Sequence, residues 1–91
     1  MTHQSVLQID GCGKALIGWF QRPGAGPLLV YDYDKLVACF VKQGMTEDEA
    51  VEWVAVNVES AWMGEGTPAI LHRIRNAGDL AEFREAHGLD A

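Results

Sequence analysis

Cysteine and proline are scarce in this chain of 91 residues, which contains two cysteines and three prolines. Two cysteines are too few for the disulfide framework of a small secreted domain. The longest unbroken apolar run is residues 36–41, whereas a membrane-spanning helix needs about 20 residues. Residues 1–5 lack the basic segment of a secretory signal. We therefore expect a cytoplasmic protein with no membrane partner.

The residues that would mark an enzyme or a metal centre are also few. None of the three histidines has a second histidine or a cysteine three or four residues away, so no zinc-ligand spacing is present. Cys12 lies in a glycine turn, which favours exposure, with only Lys14 to activate it. Cys39 has the position of a small apolar helix residue. We expect no catalytic residue, no metal and no cofactor.

Basic side chains are outnumbered: 7 lysines and arginines stand against 13 aspartates and glutamates, which makes the net charge −6. Residues 32–65 hold eight carboxylates and two lysines, so the whole negative excess lies in the middle third. Such a surface repels phosphate, and direct nucleic-acid binding is not expected. It attracts instead a protein or ribonucleoprotein with a basic surface.

The pattern of apolar and turn residues predicts a single α+β domain, with two or three helices packed on one face of a small antiparallel sheet. Weak alternation predicts a first strand over residues 5–10. Residues 14–20 and 28–31 are rich in β-favouring side chains. Between them, residues 21–27 contain two prolines and two glycines, which predicts a hairpin loop.

Two helices are predicted in the middle of the chain. Asp32 is a suitable N-cap for the first, which is expected to stop at Gly44. Thr46 and Glu49 have the spacing of a capping box at the start of the second. That helix is expected to reach about Met63, with a core face made of Val51, Val54, Ala55, Val58, Ala61 and Trp62.

The remaining segment predicts one more strand and one more helix. Residues 68–72 are apolar enough for a short strand. Residues 77–87 are predicted to form a terminal helix of about three turns, with Leu80 and Phe83 expected to face inward. The aromatic residues Trp19, Tyr31 and Tyr33 are expected to be core or half-buried, since they lie on predicted strands and on the first helix.

The outward face of the second helix is the candidate partner-binding surface. At 100° per residue, three carboxylates share that face with a tryptophan and a valine: the set is Glu49, Glu52, Trp53, Val56 and Glu59. An aromatic residue ringed by negative charge is typical of an interface hot spot. Alternatively, Trp53 is buried beneath the terminal helix beside Phe83, or it forms a homodimer contact.

Several short motifs together resemble a family of small phage and prophage proteins. They are residues 13–18 (GKALIG), 29–35 (LVYDYDK), 44–50 (GMTEDEA), Asn57, and 61–68 (AWMGEGTP). The resemblance covers roughly residues 10–72, while Ala55 and Val56 depart from it and residues 73–91 are individual. It implies no catalytic residue, and no site residue is carried over from it.

The resemblance and the charge together predict a function. Small acidic phage proteins are often inhibitors of bacterial defences, including anti-CRISPR proteins, and they occupy basic surfaces that bind nucleic acid. We expect a non-enzymatic inhibitor that binds a host defence complex through its acidic helix surface. The alternative is a small dimeric accessory protein that binds another host factor.

Overall fold

The computed structural model describes residues 6–89, and its elements confirm the α+β class. A single 3-10 turn, Gly13–Ala15, precedes the first strand. The three strands are β1 (Leu16–Phe20), β2 (Leu28–Asp32) and β3 (Ala69–Leu71). The three α-helices are α1 (Tyr33–Lys42), α2 (Glu47–Val54) and α3 (Ala77–Ala86), and a π-helical turn, Ala55–Glu59, continues α2.

The sheet has the order β1-β2-β3 and is mixed rather than wholly antiparallel. β1 and β2 form the predicted antiparallel hairpin, with a register irregularity between Leu16 and Gly18. β2 and β3 are parallel, and Val30 pairs with Ala69. Parallel pairing requires the chain to cross to the opposite end of the sheet before β3 begins, and the long segment that contains α1 and α2 makes this crossover.

The expected first strand over residues 5–10 does not form among the described residues; Ser5 itself lies outside them. Two long-range hydrogen bonds hold this segment instead. The Leu7 amide donates to the Gly66 carbonyl at 3.1 Å, and the Ile9 amide donates to the Tyr31 hydroxyl at 3.0 Å. The segment is therefore attached to the core through one buried tyrosine rather than through a strand ladder.

Both predicted helix starts are confirmed. Asp32 caps α1, since its Oδ2 accepts a hydrogen bond from the Lys35 amide at 3.0 Å. After α1, Gly44 has a φ of +112°, a conformation that side-chain-bearing residues rarely adopt. Thr46 and Glu49 form the complete capping box of α2, with hydrogen bonds of 2.9 and 3.2 Å.

Replacing the capping threonine tests how much this motif stabilises the domain. We expect Thr46→Ala to lower the free energy of unfolding by about 1 kcal/mol, because the Glu49 amide loses its acceptor. For a domain of this size that corresponds to a fall in melting temperature of about 4–8 °C. Thr46→Ser keeps the acceptor and is the control; a thermal melt in which both variants match the wild type would contradict the assignment.

The core lies between the sheet and the first two helices. Its buried members come from the turn before β1, from β2, α1 and α2: they are Cys12, Ala15, Tyr31, Leu36, Phe40, Ala50 and Val54. Cys12 is thus buried although its glycine turn suggested exposure. Since α3 contributes no buried residue, the predicted inward position of Phe83 is wrong, and Leu80 is only half-buried.

Much of the predicted core face of the second helix is not buried. Val54 is buried and Val58 and Ala61 are half-buried, but Val51, Ala55 and Trp62 are exposed. For the residues after Val54, the cause is the early end of α2. The Ser60 amide donates to the Ala55 carbonyl at 3.2 Å, a five-residue step that widens the turn and shifts every later side chain around the axis.

Candidate functional site

Four of the five residues predicted to bind a partner line one shallow cavity of about 250 Å³ on α2 and the following turn. These are Glu49, Glu52, Trp53 and Val56, and Asn57 completes the lining. We call this set the α2 acidic surface. The helical spacing that suggested the surface holds here, because Glu49 to Val54 lie in regular α-helix.

Trp53 is held in place yet open to solvent. Its side chain is 44% exposed, so the expected burial beneath the terminal helix is wrong. The indole packs at a tilt against Phe40, with ring centroids 6.2 Å apart. An aromatic ring that is supported on one face by the core and exposed on the other needs little ordering to contact a partner.

The two carboxylates of the surface have different surroundings. Glu49 accepts the hydrogen bond from the Thr46 amide, and this bond holds the pKa of Glu49 below its usual range. The Glu52 carboxylate makes no hydrogen bond or ion pair within residues 6–89. Glu52 is therefore the carboxylate free to approach a cation, while Glu49 contributes a fixed negative charge.

The fifth predicted residue, Glu59, lies elsewhere. It ends the π-helical turn, and its Oε2 is 2.6 Å from the His72 Nε2. The His72 ring stacks on Tyr33 at 4.2 Å between centroids. Because the widened turn rotates Glu59 away from Trp53, the predicted set divides into two groups.

The basic side chains are kept away from the α2 acidic surface. Arg73 binds Asp32 at 2.6 Å, and Arg75 pairs with Asp34. None of the residues that line the cavity around Trp53 is basic. The lysines line a different cavity, between the Gly13–Ala15 turn and α1. This separation keeps the α2 acidic surface uniformly negative.

A second exposed surface was not found from the sequence. An open, mostly apolar groove of about 580 Å³ runs along β3, with Phe20, Val30 and Leu71 on its sheet side and Trp62 on the other. Its lining also includes the charged residues Arg22 and Glu59. Trp62 is 71% exposed. The sequence feature that could have indicated this surface is Trp62. Helical periodicity placed Trp62 in the core, because the predicted helix continued past the actual end of α2.

The two cysteine thiols face each other at the base of the turn before β1. Burial, with a smaller effect from the neighbouring Cys39, raises the pKa of Cys12 to about 12. Cys39 is half-buried and its Sγ donates to the Gly11 carbonyl at 3.2 Å. A thiol with so high a pKa is a poor nucleophile at neutral pH.

Residues 6–89 contain no group of three or more histidine, cysteine or carboxylate side chains placed to hold a metal ion. Over the same residues, every helix is too short or too polar to cross a bilayer. No family model, curated protein or solved structure matches the chain significantly. The resemblance to small phage and prophage proteins therefore stays a hypothesis.

Proposed function

We propose that the protein is a non-enzymatic inhibitor of the phage type, which binds a host defence complex through the α2 acidic surface. The observation that supports this most directly is the position of Trp53, half-exposed between Glu49, Glu52 and Val56. The carboxylates steer the surface toward a basic site that serves nucleic acid, and the indole supplies the apolar contact that holds it there.

The electrostatic and the apolar parts of the binding energy can therefore be measured separately. Attraction between Glu52 and a basic partner is screened by salt, with a range of about 8 Å at physiological ionic strength. Burial of Trp53 is insensitive to salt. An inhibitor that works in this way competes with guide RNA or target DNA, as anti-CRISPR proteins do, and its affinity falls as salt rises.

The test is a competition assay with purified RNA-guided effector complexes and labelled target DNA. For an effector that the protein inhibits, we expect Trp53→Ala to weaken inhibition about 30-fold or more, as a hot-spot residue does. Phe83→Ala is the matched control, because Phe83 is an exposed aromatic (45%) on α3, away from this surface. Glu52→Gln is expected to reduce mainly the association rate.

The outcome that contradicts the proposal is equally specific. If Trp53→Ala and Phe83→Ala inhibit as well as the wild type, the α2 acidic surface is not the binding site. If no RNA-guided complex is inhibited at low salt, the inhibitor function itself is refuted. Circular dichroism of each variant shows whether a lost activity is a lost fold.

The apolar groove along β3 favours a second candidate function, a small accessory protein that acts as a homodimer. Trp19, Phe20 and Trp62 are all exposed around the sheet, and exposed apolar surface of this kind marks interaction sites. The segment Leu16–Phe20 carries no charge, and the groove is lined by one arginine and one glutamate, so this face has no excess of negative charge in a chain with a net charge of −6. Light scattering after size exclusion would show a dimer that Trp62→Glu converts to a monomer.

A further inference from the structure

All three lysines of the chain line one surface cavity of about 830 Å³ between the Gly13–Ala15 turn and α1. They are Lys14, Lys35 and Lys42. The cavity has no carboxylate in its lining, and its other members are small or neutral. In a chain with a net charge of −6, a cavity lined only by cations and neutral groups is a local reversal of the prevailing charge.

The local structure explains why the cavity is open. Lys35, Cys39 and Lys42 lie at positions i, i+4 and i+7 of α1 and therefore on one face. Small side chains between the lysines form the floor. Opposite them, Gly11 has a φ of +80°, and a Cβ there would lie 3.3 Å from the Gln43 Nε2. A larger residue at position 11 would both strain the turn and narrow the cavity.

No lysine makes a close ion pair with the carboxylates of residues 6–89, although Lys35 acts on Asp32 at longer range. Within residues 6–89, the ion pairs involve Arg73, Arg75 and His72, and no lysine takes part. Asp10 and Asp34 are the carboxylates next in sequence to lining residues, and Asp34 is already bound by Arg75. The ammonium groups are therefore available to an external anion.

We propose that this cavity binds the phosphate chain of a small polyphosphorylated ligand. Lys35 and Lys42 are seven residues apart, about 10 Å along the helix axis, so a chain of two or three phosphates spans them better than a single phosphate does. The cavity volume lies within the range of small-molecule sites. Since no aromatic side chain lines it, the phosphates are recognised and a nucleotide base is not.

Calorimetric titration with inorganic tripolyphosphate tests the proposal. We expect binding that weakens as salt rises, with ATP and GTP binding equally well. Lys35→Gln and Lys42→Gln are each expected to weaken binding about tenfold, the loss of one charged hydrogen-bond donor. Arg22→Gln, which removes a cation outside the cavity, is the matched control and should bind like the wild type. Absence of binding at millimolar tripolyphosphate, or equal loss in the control, overturns the proposal.

The half-buried Cys39 thiol lines the cavity and reports its occupancy independently. Tripolyphosphate is expected to slow alkylation of Cys39 several-fold relative to sodium chloride of equal ionic strength, and Lys42→Gln should abolish this protection. Unchanged alkylation in the presence of bound tripolyphosphate would place the anion elsewhere. A single-stranded oligonucleotide that binds more tightly than tripolyphosphate through the same lysines would overturn the small-ligand assignment in favour of nucleic acid.

Discussion

Replacing Leu36 by alanine is expected to lower the free energy of unfolding by about 3–5 kcal/mol. Leu36 is completely buried, on the face of α1 that packs against both the sheet and α2. The substitution leaves a cavity at the centre of a core with only a few large side chains. The melting temperature of a domain this small should fall by about 15–30 °C.

Val41→Ala is the control for this prediction, since Val41 lies on the same helix but is exposed. A surface change of this kind is expected to cost less than about 0.5 kcal/mol. Urea unfolding of both variants at the same protein concentration measures the difference. Equal losses of stability would mean that α1 does not pack as described.

Replacing Asp32 by alanine is expected to be the second largest effect, a loss of about 2–4 kcal/mol. The carboxylate is buried and joins three segments. Its Oδ2 accepts from the Lys35 amide at 3.0 Å, and its Oδ1 accepts from the Arg73 Nε at 2.6 Å. Asp34→Asn is the control, because the exposed pair of Asp34 with Arg75 contributes at most about 1 kcal/mol.

The same carboxylate gives a pH dependence with a definite sign. The hydrogen bond from the Lys35 amide, and then Arg73, hold the pKa of Asp32 below its ordinary value of 3.8. A lowered folded pKa stabilises the protein fully above the ordinary value, and this stabilisation is lost as the pH falls through the lower folded value. Asp32→Asn should therefore lose less stability between about pH 4 and pH 2 than the wild type does. Denaturant melts across that range would measure it.

The parts of the fold that could be predicted from sequence are those encoded by neighbouring residues. The helix caps use residues within three positions of the amides that they bind: Asp32, Thr46 and Glu49. The prolines and glycines of residues 21–27 form the loop that connects β1 with β2. Each of these signals is complete within a few residues. They were confirmed because no distant contact can override them at low cost.

The predictions of burial that were wrong depend on contacts between residues far apart in the sequence. Periodicity shows which face of a helix is apolar, but it does not show whether another element covers that face. Trp62 and Phe83 are both on apolar positions, and both are exposed; the ring that stacks on Phe83 is His87, at the end of its own helix. The burial of Cys12 was missed for the opposite reason, since α1 packs over the turn that carries it.

The candidate site shows, within one helix, the same difference between residues that could be predicted and residues that could not. Trp53 and Glu52 lie where a regular α-helix places them, so their common face could be predicted from 100° steps. Glu59 is the last residue of the π-helical turn, and its partner is His72 on the segment after β3. The widened turn was not foreseen from the sequence, so the position of Glu59 was missed, although Val56 still lines the same cavity as Trp53.

The parallel pairing of β2 with β3 also has a consequence for how the chain folds. The hairpin β1–β2 closes a short loop, whereas the contact between Val30 and Ala69 closes a much longer one that contains both helices, and we expect it to form later. Until then, one edge of the central strand β2 has unpaired backbone groups. During that interval β2 can pair with a strand of another chain. The interval ends when β3, a strand of three residues, docks on β2.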